Sequence, residues 1–283
     1  MTNAASNVSD GLSRALVALN TGATIPQVGL GVWQTPRGEV TRRAVSAALK
    51  LGYRHVDTAR IYGNEADVGA GLVASGVARA ELFVTTKLWN DDQGHDAALR
   101  AFDLSLGRLG LDYVDLYLLH WPVAGKRLDS WRALERLHAE GRARAIGVSN
   151  FMPRHLDELL AVARVVPAVN QIELSPFLQQ RETRAACARH GIVVEAYSPL
   201  THGLRLDHPV VAAVAARSGR SPAQVLLRWA VQQGLVVLPK STREARIREN
   251  AALFDFALDA EAMAALDGCE EGLVTGWDPR QQD

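Results

Sequence analysis

Reactive polar side chains end several of the apolar, β-branched runs in this sequence. The runs HVD, FVTTK and VDLYLLH end in Asp57, Lys87 and His120. A carboxylate at the end of a buried strand is costly unless a charged group pairs with it, so Asp57 needs a partner such as Lys87. Each of these residues alone is typical of a structural group, but their shared position predicts one functional site. The full set is Asp57, Lys87, His120, Ser149, Asn150, Gln171, Tyr197 and Lys240.

Tyr62 lies in the loop that follows the run ending in Asp57. A lysine beside a phenol favours the phenolate, so we expect Lys87 to lower the pKa of Tyr62 from about 10. Tyr62 is then a candidate general acid. His120 can donate a hydrogen bond that orients a carbonyl oxygen. This pair suits carbonyl reduction, and because no side chain supplies a hydride, the reaction requires a cofactor.

The second half of the chain has residues suited to a dinucleotide with an extra phosphate. Ser198 and Leu200 follow the seventh apolar run, and Lys240, Ser241 and Thr242 follow the eighth, where barrel enzymes commonly bind phosphate. Arginines near a helix N-terminus suit the 2′-phosphate of NADP. Polar side chains suit adenine, and a flat ring suits stacking on nicotinamide. The candidates for the 2′-phosphate are Arg243 and Arg246, and those for the adenine are Glu249 and Asn250. Tyr197 is the candidate for stacking on the nicotinamide.

The apolar runs alternate with helical patterns, and no linker interrupts the array. Apolar strands between helices indicate a parallel sheet that is covered by helices. Eight such units in about 250 residues predict a (β/α)8 TIM barrel of the α/β class, with a doubly wound open sheet as the alternative. The segment ALNTGATIPQV predicts a short N-terminal β-hairpin that turns at Thr21 and Gly22 and closes the barrel floor.

We interpret residues 1–283 as a single TIM-barrel domain with a tail at each end. Residues 1–14 are polar and predict a flexible tail. Residues 268–283 are expected near the mouth of the barrel, where Trp277 either packs against the protein or contacts substrate.

The composition limits the possible partners. Basic and acidic residues number 31 each, so no nucleic acid or anionic membrane partner is expected. No apolar run approaches the roughly 18 residues that cross a bilayer. Cys187 and Cys269 are far apart in the sequence, which indicates reduced thiols and a cytoplasmic location. The histidines form no tight cluster in the sequence, so no catalytic metal is expected.

A series of longer motifs resembles the aldo-keto reductase superfamily, from residue 19 to about residue 250. These motifs are GYRHVDTARIYGNE, TTKLWN, LDYVDLYLLHWP, IGVSNF, VNQIE, AYSPL and LPKSTREARIREN. The motif NQIEL and the short C-terminal tail resemble those of bacterial 2,5-diketo-D-gluconate reductases. The chain departs from related patterns at Ser175-Pro176, where many members have His-Pro, and at Tyr197-Ser198, where those reductases have Trp-Gly.

The resemblance implies a TIM barrel, NADPH as cofactor, a small carbonyl substrate and a monomer. It implies a catalytic tetrad of Asp57, Tyr62, Lys87 and His120. It also implies that Ser149, Asn150 and Gln171 hold the nicotinamide carboxamide. The substrate pocket would be lined by Trp33, Trp89 and Trp121 beside His120, with Trp277 as a further candidate.

Two other functions remain open from the sequence. A barrel hydrolase could use Asp57 with Glu173 or Glu195 as its acid and base. A non-catalytic descendant of the fold could bind NADPH without reducing anything. The pattern GxGxxA that begins at Gly69 lies within a helical pattern and does not follow a strand, so it is a weak dinucleotide fingerprint.

Overall fold

The computed structural model describes the backbone of residues 2–282 and the side chains of residues 8–282. Helix α1 (Thr2–Arg14) occupies most of the segment for which the sequence predicted a polar tail, and the flexibility of that segment stays a prediction. Leu12 is buried, and Val8 packs against the core one turn earlier. Residues four apart share one face of a helix, and this pair of apolar side chains docks α1 on the barrel.

The strands β1 (Leu16–Ala18) and β2 (Thr24–Pro26) form the predicted antiparallel hairpin. The Gly22 N–H donates to the Leu19 carbonyl at 3.0 Å. Gly22 has φ of 84°, a value that glycine adopts without steric cost. The hairpin closes the barrel floor through a buried apolar cluster at the starts of the strands, formed by Leu19, Ile25, Phe83, Leu116, Leu118, Ala145, Ala168, Val169 and Val236.

Eight parallel strands pair in chain order to form one sheet. The last strand returns to the first, because the Val237 N–H donates to the Gln27 carbonyl at 2.9 Å and the Gly31 N–H donates to the Pro239 carbonyl at 3.2 Å. The structure is therefore the predicted (β/α)8 TIM barrel and not an open sheet. The strands are β3 (Gly29–Gly31), β4 (His55–Asp57), β5 (Phe83–Leu88), β6 (Val114–Leu119), β7 (Ala143–Ser149), β8 (Val169–Glu173), β9 (Val193–Tyr197) and β10 (Val236–Leu238).

Helices cover the outside of the barrel. They are α2 (Glu39–Lys50), α3 (Glu65–Ser75), α4 (His95–Leu109), α5 (Arg127–Ala139), α6 (Pro153–Leu160), α7 (Arg181–Arg189), α8 (Pro209–Ser218), α9 (Pro222–Gln232), α10 (Glu244–Ala251) and α11 (Ala260–Asp267). A Cβ on Gly69 would lie 2.2 Å from the Leu109 carbonyl oxygen, so this glycine lets α3 approach α4 closely. The GxGxxA pattern is therefore a helix-packing feature. No helix in the described chain is both long and apolar enough to cross a membrane.

The strand register places the polar strand ends at one rim of the barrel. Asp57 pairs with Thr85, and Lys87, two residues further along β5, pairs with Leu118. Ser149 is opposite Gln171. Because all eight strands are parallel, the side chains that follow them converge at the same mouth.

The segment after α11 returns to this mouth. The N–H groups of Glu271 and Leu273 donate to the Phe177 carbonyl at 3.2 and 3.0 Å. Further on, the Thr275 N–H donates to the buried Glu173 carboxylate at the end of β8 at 2.8 Å. These contacts place Trp277, two residues later, beside the aromatic side chains of the mouth.

Candidate active site

Lys87 lies at the centre of the site, fully buried within β5. Its ammonium group donates to the Asp57 carboxylate at 2.6 Å, to the Thr58 carbonyl at 3.0 Å and to the Tyr62 hydroxyl at 3.1 Å. A lysine ammonium has three N–H donors, so all of them are used. The ion pair that the sequence predicted between Asp57 and Lys87 is present, and it connects directly to the phenol.

The pKa directions at this site differ in part from the prediction. Burial lowers the pKa of Lys87, but the charge of Asp57 and the hydrogen bonds to Asp57 and Tyr62 outweigh burial and raise it overall, so the ammonium keeps its proton. Burial also raises the pKa of Tyr62, and the opposing charge of Lys87 does not reverse that shift. The expected lowering of the Tyr62 pKa is therefore wrong. The resting phenol is protonated, which is the form that a general acid requires.

His120 follows β6 and is buried beside Tyr62, with ring centroids 5.8 Å apart. Burial lowers the pKa of His120 well below its usual value, and the charge of Lys87 adds to this effect. The imidazole is therefore neutral at neutral pH. Within the described residues its Nδ1 atom has no hydrogen-bond partner. A neutral imidazole with a free nitrogen can bind a substrate oxygen without carrying a charge into the site.

The residues predicted to hold the nicotinamide contact one another at the ends of β7, β8 and β9. Ser149 Oγ donates to the Gln171 carbonyl at 2.8 Å. Asn150 Nδ2 donates to the His120 carbonyl at 3.0 Å, and the Tyr197 hydroxyl donates to Asn150 Oδ1 at 2.8 Å. Asn150 has φ of 64°, in the left-handed region that few residues other than glycine adopt. Such backbone strain is typical of functional sites.

The predicted phosphate residues lie after the neighbouring strands β9 and β10. Arg243 is the N-cap residue of α10, and its N–H donates to Ser241 Oγ at 3.1 Å. Lys240, Arg243 and Arg246 are exposed, and none of them forms a salt bridge with another described residue. These three cations fit a phosphorylated ligand. The other predicted residues on this rim are Ser198, Leu200, Thr242, Glu249 and Asn250, of which Asn250 is buried.

Four tryptophans surround Tyr62 and His120. Trp33 lies 4.8 Å from Tyr62, and Trp89 lies 5.3 Å from His120, measured between ring centroids. Trp277 lies 6.0 Å from Trp89 and 5.9 Å from Trp121. Trp277 remains 64% exposed, so much of its ring is open to a ligand. The mouth is therefore bordered by aromatic surface, and a substrate contact for Trp33, Trp89 and Trp121 stays a prediction.

The main feature that sequence reasoning missed is the role of Glu195, considered there only as a hydrolase carboxylate. Glu195 is fully buried, and its carboxylate accepts a hydrogen bond from Gln171 Nε2 at 2.6 Å. The same Gln171 nitrogen donates to Asp57 at 2.8 Å. Asp57 and Glu195 are on different strands, and no short motif contains both, so only the folded structure shows this bridge. Both Asp57 oxygens accept a hydrogen bond, one from Lys87 and one from Gln171.

The residues 27–271 match the model of the Aldo/keto reductase family. The chain is 50% identical to the glyoxal reductase of Bacillus subtilis, covering 93% of this chain and 95% of that protein. It is 51% identical to the morphine 6-dehydrogenase of Pseudomonas putida, covering 95% of each. The crystal structure of a Bombyx mori aldo-keto reductase in complex with NADP superimposes with a TM-score of 0.89 at 38% identity, covering 94% of this chain and 97% of that one.

The eight-stranded barrel agrees with the fold of these solved relatives. The protein is an NADP-dependent oxidoreductase and belongs to the aldo/keto reductase family.

Proposed function

We propose that this protein reduces aldehydes and ketones to alcohols with NADPH, and that Tyr62 is the general acid. The observation that supports this proposal most directly is the contact of the Lys87 ammonium with both Asp57 and the Tyr62 hydroxyl, at 2.6 and 3.1 Å. A cation fixed beside a protonated phenol favours release of the phenol proton at the moment a substrate oxygen becomes negative.

The proton and the hydride add to opposite ends of the carbonyl bond. NADPH, when bound, supplies the hydride that adds to the carbonyl carbon. Tyr62 donates its proton to the carbonyl oxygen, and the product is an alcohol. The phenolate that remains is stabilised by the Lys87 charge 3.1 Å away. His120, which burial keeps neutral, donates a hydrogen bond that orients the same oxygen.

The cofactor is held by two groups of residues in this proposal. Ser149, Asn150 and Gln171 hold the nicotinamide carboxamide, and Tyr197 provides a ring for stacking. The exposed cations on the rim after β10 hold the phosphates, and they are Lys240, Arg243 and Arg246. Ser198, Leu200, Ser241 and Thr242 lie nearby, and Glu249 and Asn250 bind the adenine. The chemistry of both groups fits NADPH, since one offers amide and hydroxyl groups and the other offers unpaired positive charge.

The aromatic mouth suits small carbonyl compounds with apolar or planar groups. Trp33, Trp89, Trp121 and Trp277 offer ring surface around Tyr62 and His120. We infer that aldehydes and 2-dicarbonyls are the main substrates, which the similarity to a glyoxal reductase supports. Keto-sugar acids are predicted as substrates only by the resemblance to diketogluconate reductases, and the substrate panel below tests them separately. A cytoplasmic monomer with two buried, reduced cysteines is part of the same proposal.

The decisive experiment follows the near-ultraviolet absorbance of NADPH as purified protein is mixed with phenylglyoxal or methylglyoxal. We expect the absorbance to fall only when both cofactor and carbonyl compound are present. Binding of NADPH without its oxidation, across a panel of aldehydes and keto-sugar acids, would indicate a non-catalytic descendant. Hydrolysis of glycosides without any nicotinamide would instead support the paired-carboxylate alternative.

A further inference from the structure

The Gln171 side chain lies between two carboxylates inside the barrel. Its Nε2 atom donates to Asp57 Oδ2 at 2.8 Å and to Glu195 Oε2 at 2.6 Å. Both acceptors are buried, and Glu195 is fully buried. An amide nitrogen has two N–H donors, so these contacts use both of them.

These contacts fix which way the Gln171 amide points. An ionised carboxylate accepts hydrogen bonds and cannot donate them, so the amide nitrogen has to face Asp57 and the carbonyl oxygen has to face away. Among the described residues, no hydrogen bond to Gln171 Oε1 is present. The amide therefore presents a free acceptor, held in one orientation by contacts on its other side.

We propose that Glu195 is a positioning residue that holds the Gln171 amide so that its carbonyl oxygen accepts a hydrogen bond from the nicotinamide carboxamide N–H. This inference rests on the cofactor contact proposed above for Gln171. It extends that contact to a residue on β9 that touches neither cofactor nor substrate.

The surroundings of Glu195 indicate that stability does not explain its presence. The titratable groups around it are His55, Asp57, Lys87 and Tyr62. His55 Nε2 lies 3.5 Å from Glu195 Oε1, and burial lowers the pKa of His55 to about 3, so this imidazole is neutral and gives no counter-charge. Lys87 is already paired with Asp57. A second buried acid without its own cation is costly in its ionised form, and replacing such a group by an apolar side chain is often neutral or stabilising.

The test separates nicotinamide contacts from the rest of the cofactor. Tryptophan fluorescence would measure binding of NADPH and of 2′-phospho-ADP-ribose, which lacks the nicotinamide ring. The variants are Glu195→Gln, which keeps the shape, and Glu195→Leu, which removes the acceptor. We expect Glu195→Leu to weaken NADPH binding about tenfold, the effect of losing one hydrogen bond of about 1.4 kcal/mol. Binding of the fragment should not change, and the melting temperature should equal or exceed that of the wild type.

The matched control is Glu173→Gln, which changes a buried carboxylate that contacts Thr275 and not Gln171. It should leave the ratio of NADPH to fragment affinity at the wild-type value. In a Gln171→Leu background, Glu195→Leu should have no further effect on NADPH binding, because the residue acts through the missing amide.

Three outcomes would overturn the inference. They are equal weakening of NADPH and fragment binding, unchanged NADPH binding in the Glu195→Leu variant, or an undiminished Glu195→Leu effect in the Gln171→Leu background. Gln171→Leu alone tests the proposed function separately. If that variant binds NADPH as tightly as the wild type, the carboxamide contact itself is wrong; if it binds weakly while the Glu195 variants bind normally, only the role of Glu195 is wrong.

Discussion

The Lys87 ammonium contacts two groups that need its positive charge at different times. Asp57 is a buried carboxylate that needs a positive partner 2.6 Å away. Tyr62 is a phenol whose pKa burial raises, and it needs a positive charge only when it loses its proton. One buried ammonium meets both requirements because its donors are already aligned before any substrate arrives. This preorganisation is what makes a charge effective inside a protein.

The first prediction concerns the proton donor. Tyr62→Phe keeps the ring that packs 4.8 Å from Trp33 and removes only the hydroxyl. Loss of a general acid typically costs about 10²–10⁴ in rate, so we expect turnover to fall by that factor. NADPH affinity should stay close to the wild-type value, because the proposed cofactor residues are on later strands. Steady-state turnover and NADPH-quenched fluorescence would be measured together, and turnover within a few-fold of wild type would exclude Tyr62 as the acid.

At the scale of strands and helices, the sequence predicted correctly that polar residues at the strand ends gather at one rim of the barrel. Parallel strands bring their carboxyl ends to one rim, so polar residues such as Lys87 and Gln171 that end apolar runs have to converge there. Helix α1 was missed because only two large apolar residues, Val8 and Leu12, lie among small and polar ones and give a weak helical pattern. The pKa direction of Tyr62 and the bridge from Gln171 to Glu195 were missed because burial and contacts between distant strands depend on the whole fold.

The second prediction belongs to helix α10. Arg246 is exposed on this helix and forms no salt bridge with another described residue, so it is available to the 2′-phosphate of NADPH. A charge-assisted hydrogen bond contributes roughly 1.5–3 kcal/mol, so Arg246→Ala should weaken NADPH binding about tenfold or more and leave NADH binding unchanged. Arg248→Ala is the matched control, since that residue pairs with Glu244 on the same helix. Equal losses for both cofactors, measured by fluorescence titration, would contradict the assignment.

The third prediction concerns the C-terminal segment. Its Trp277 is 64% exposed and borders the mouth beside Trp89 and Trp121. Trp277→Ala should raise the KM for phenylglyoxal several-fold, because a large aromatic substrate loses a ring contact, and should change the KM for the smaller methylglyoxal little. Trp277→Phe is the control and should retain most of the affinity. A parallel change for both substrates would assign Trp277 to packing of the tail.

At the scale of the whole molecule, the barrel interior contains more acid than base. Asp57 and Glu195 are both buried there, while Lys87 is the cation beside them and burial keeps His55 neutral. Burial raises the pKa of Glu195 to about 8, and the charge of Asp57 adds to that shift. The folded protein therefore holds a proton on Glu195 at pH values where the unfolded chain has released it.

The last prediction follows from this difference in bound protons. An ordinary glutamate titrates near 4.5, so between about pH 5 and about pH 8 the folded state binds more protons at Glu195 than the unfolded state does. Rising pH then favours unfolding, and the wild type should lose stability across this window. Glu195→Gln has no such titration, so its melting temperature relative to the wild type should rise as the pH increases. Glu182→Gln, an exposed substitution on α7, controls for the lost charge. Thermal unfolding followed by circular dichroism at several pH values would measure the difference, and a gap that stays constant with pH would show that Glu195 is ionised in the folded barrel.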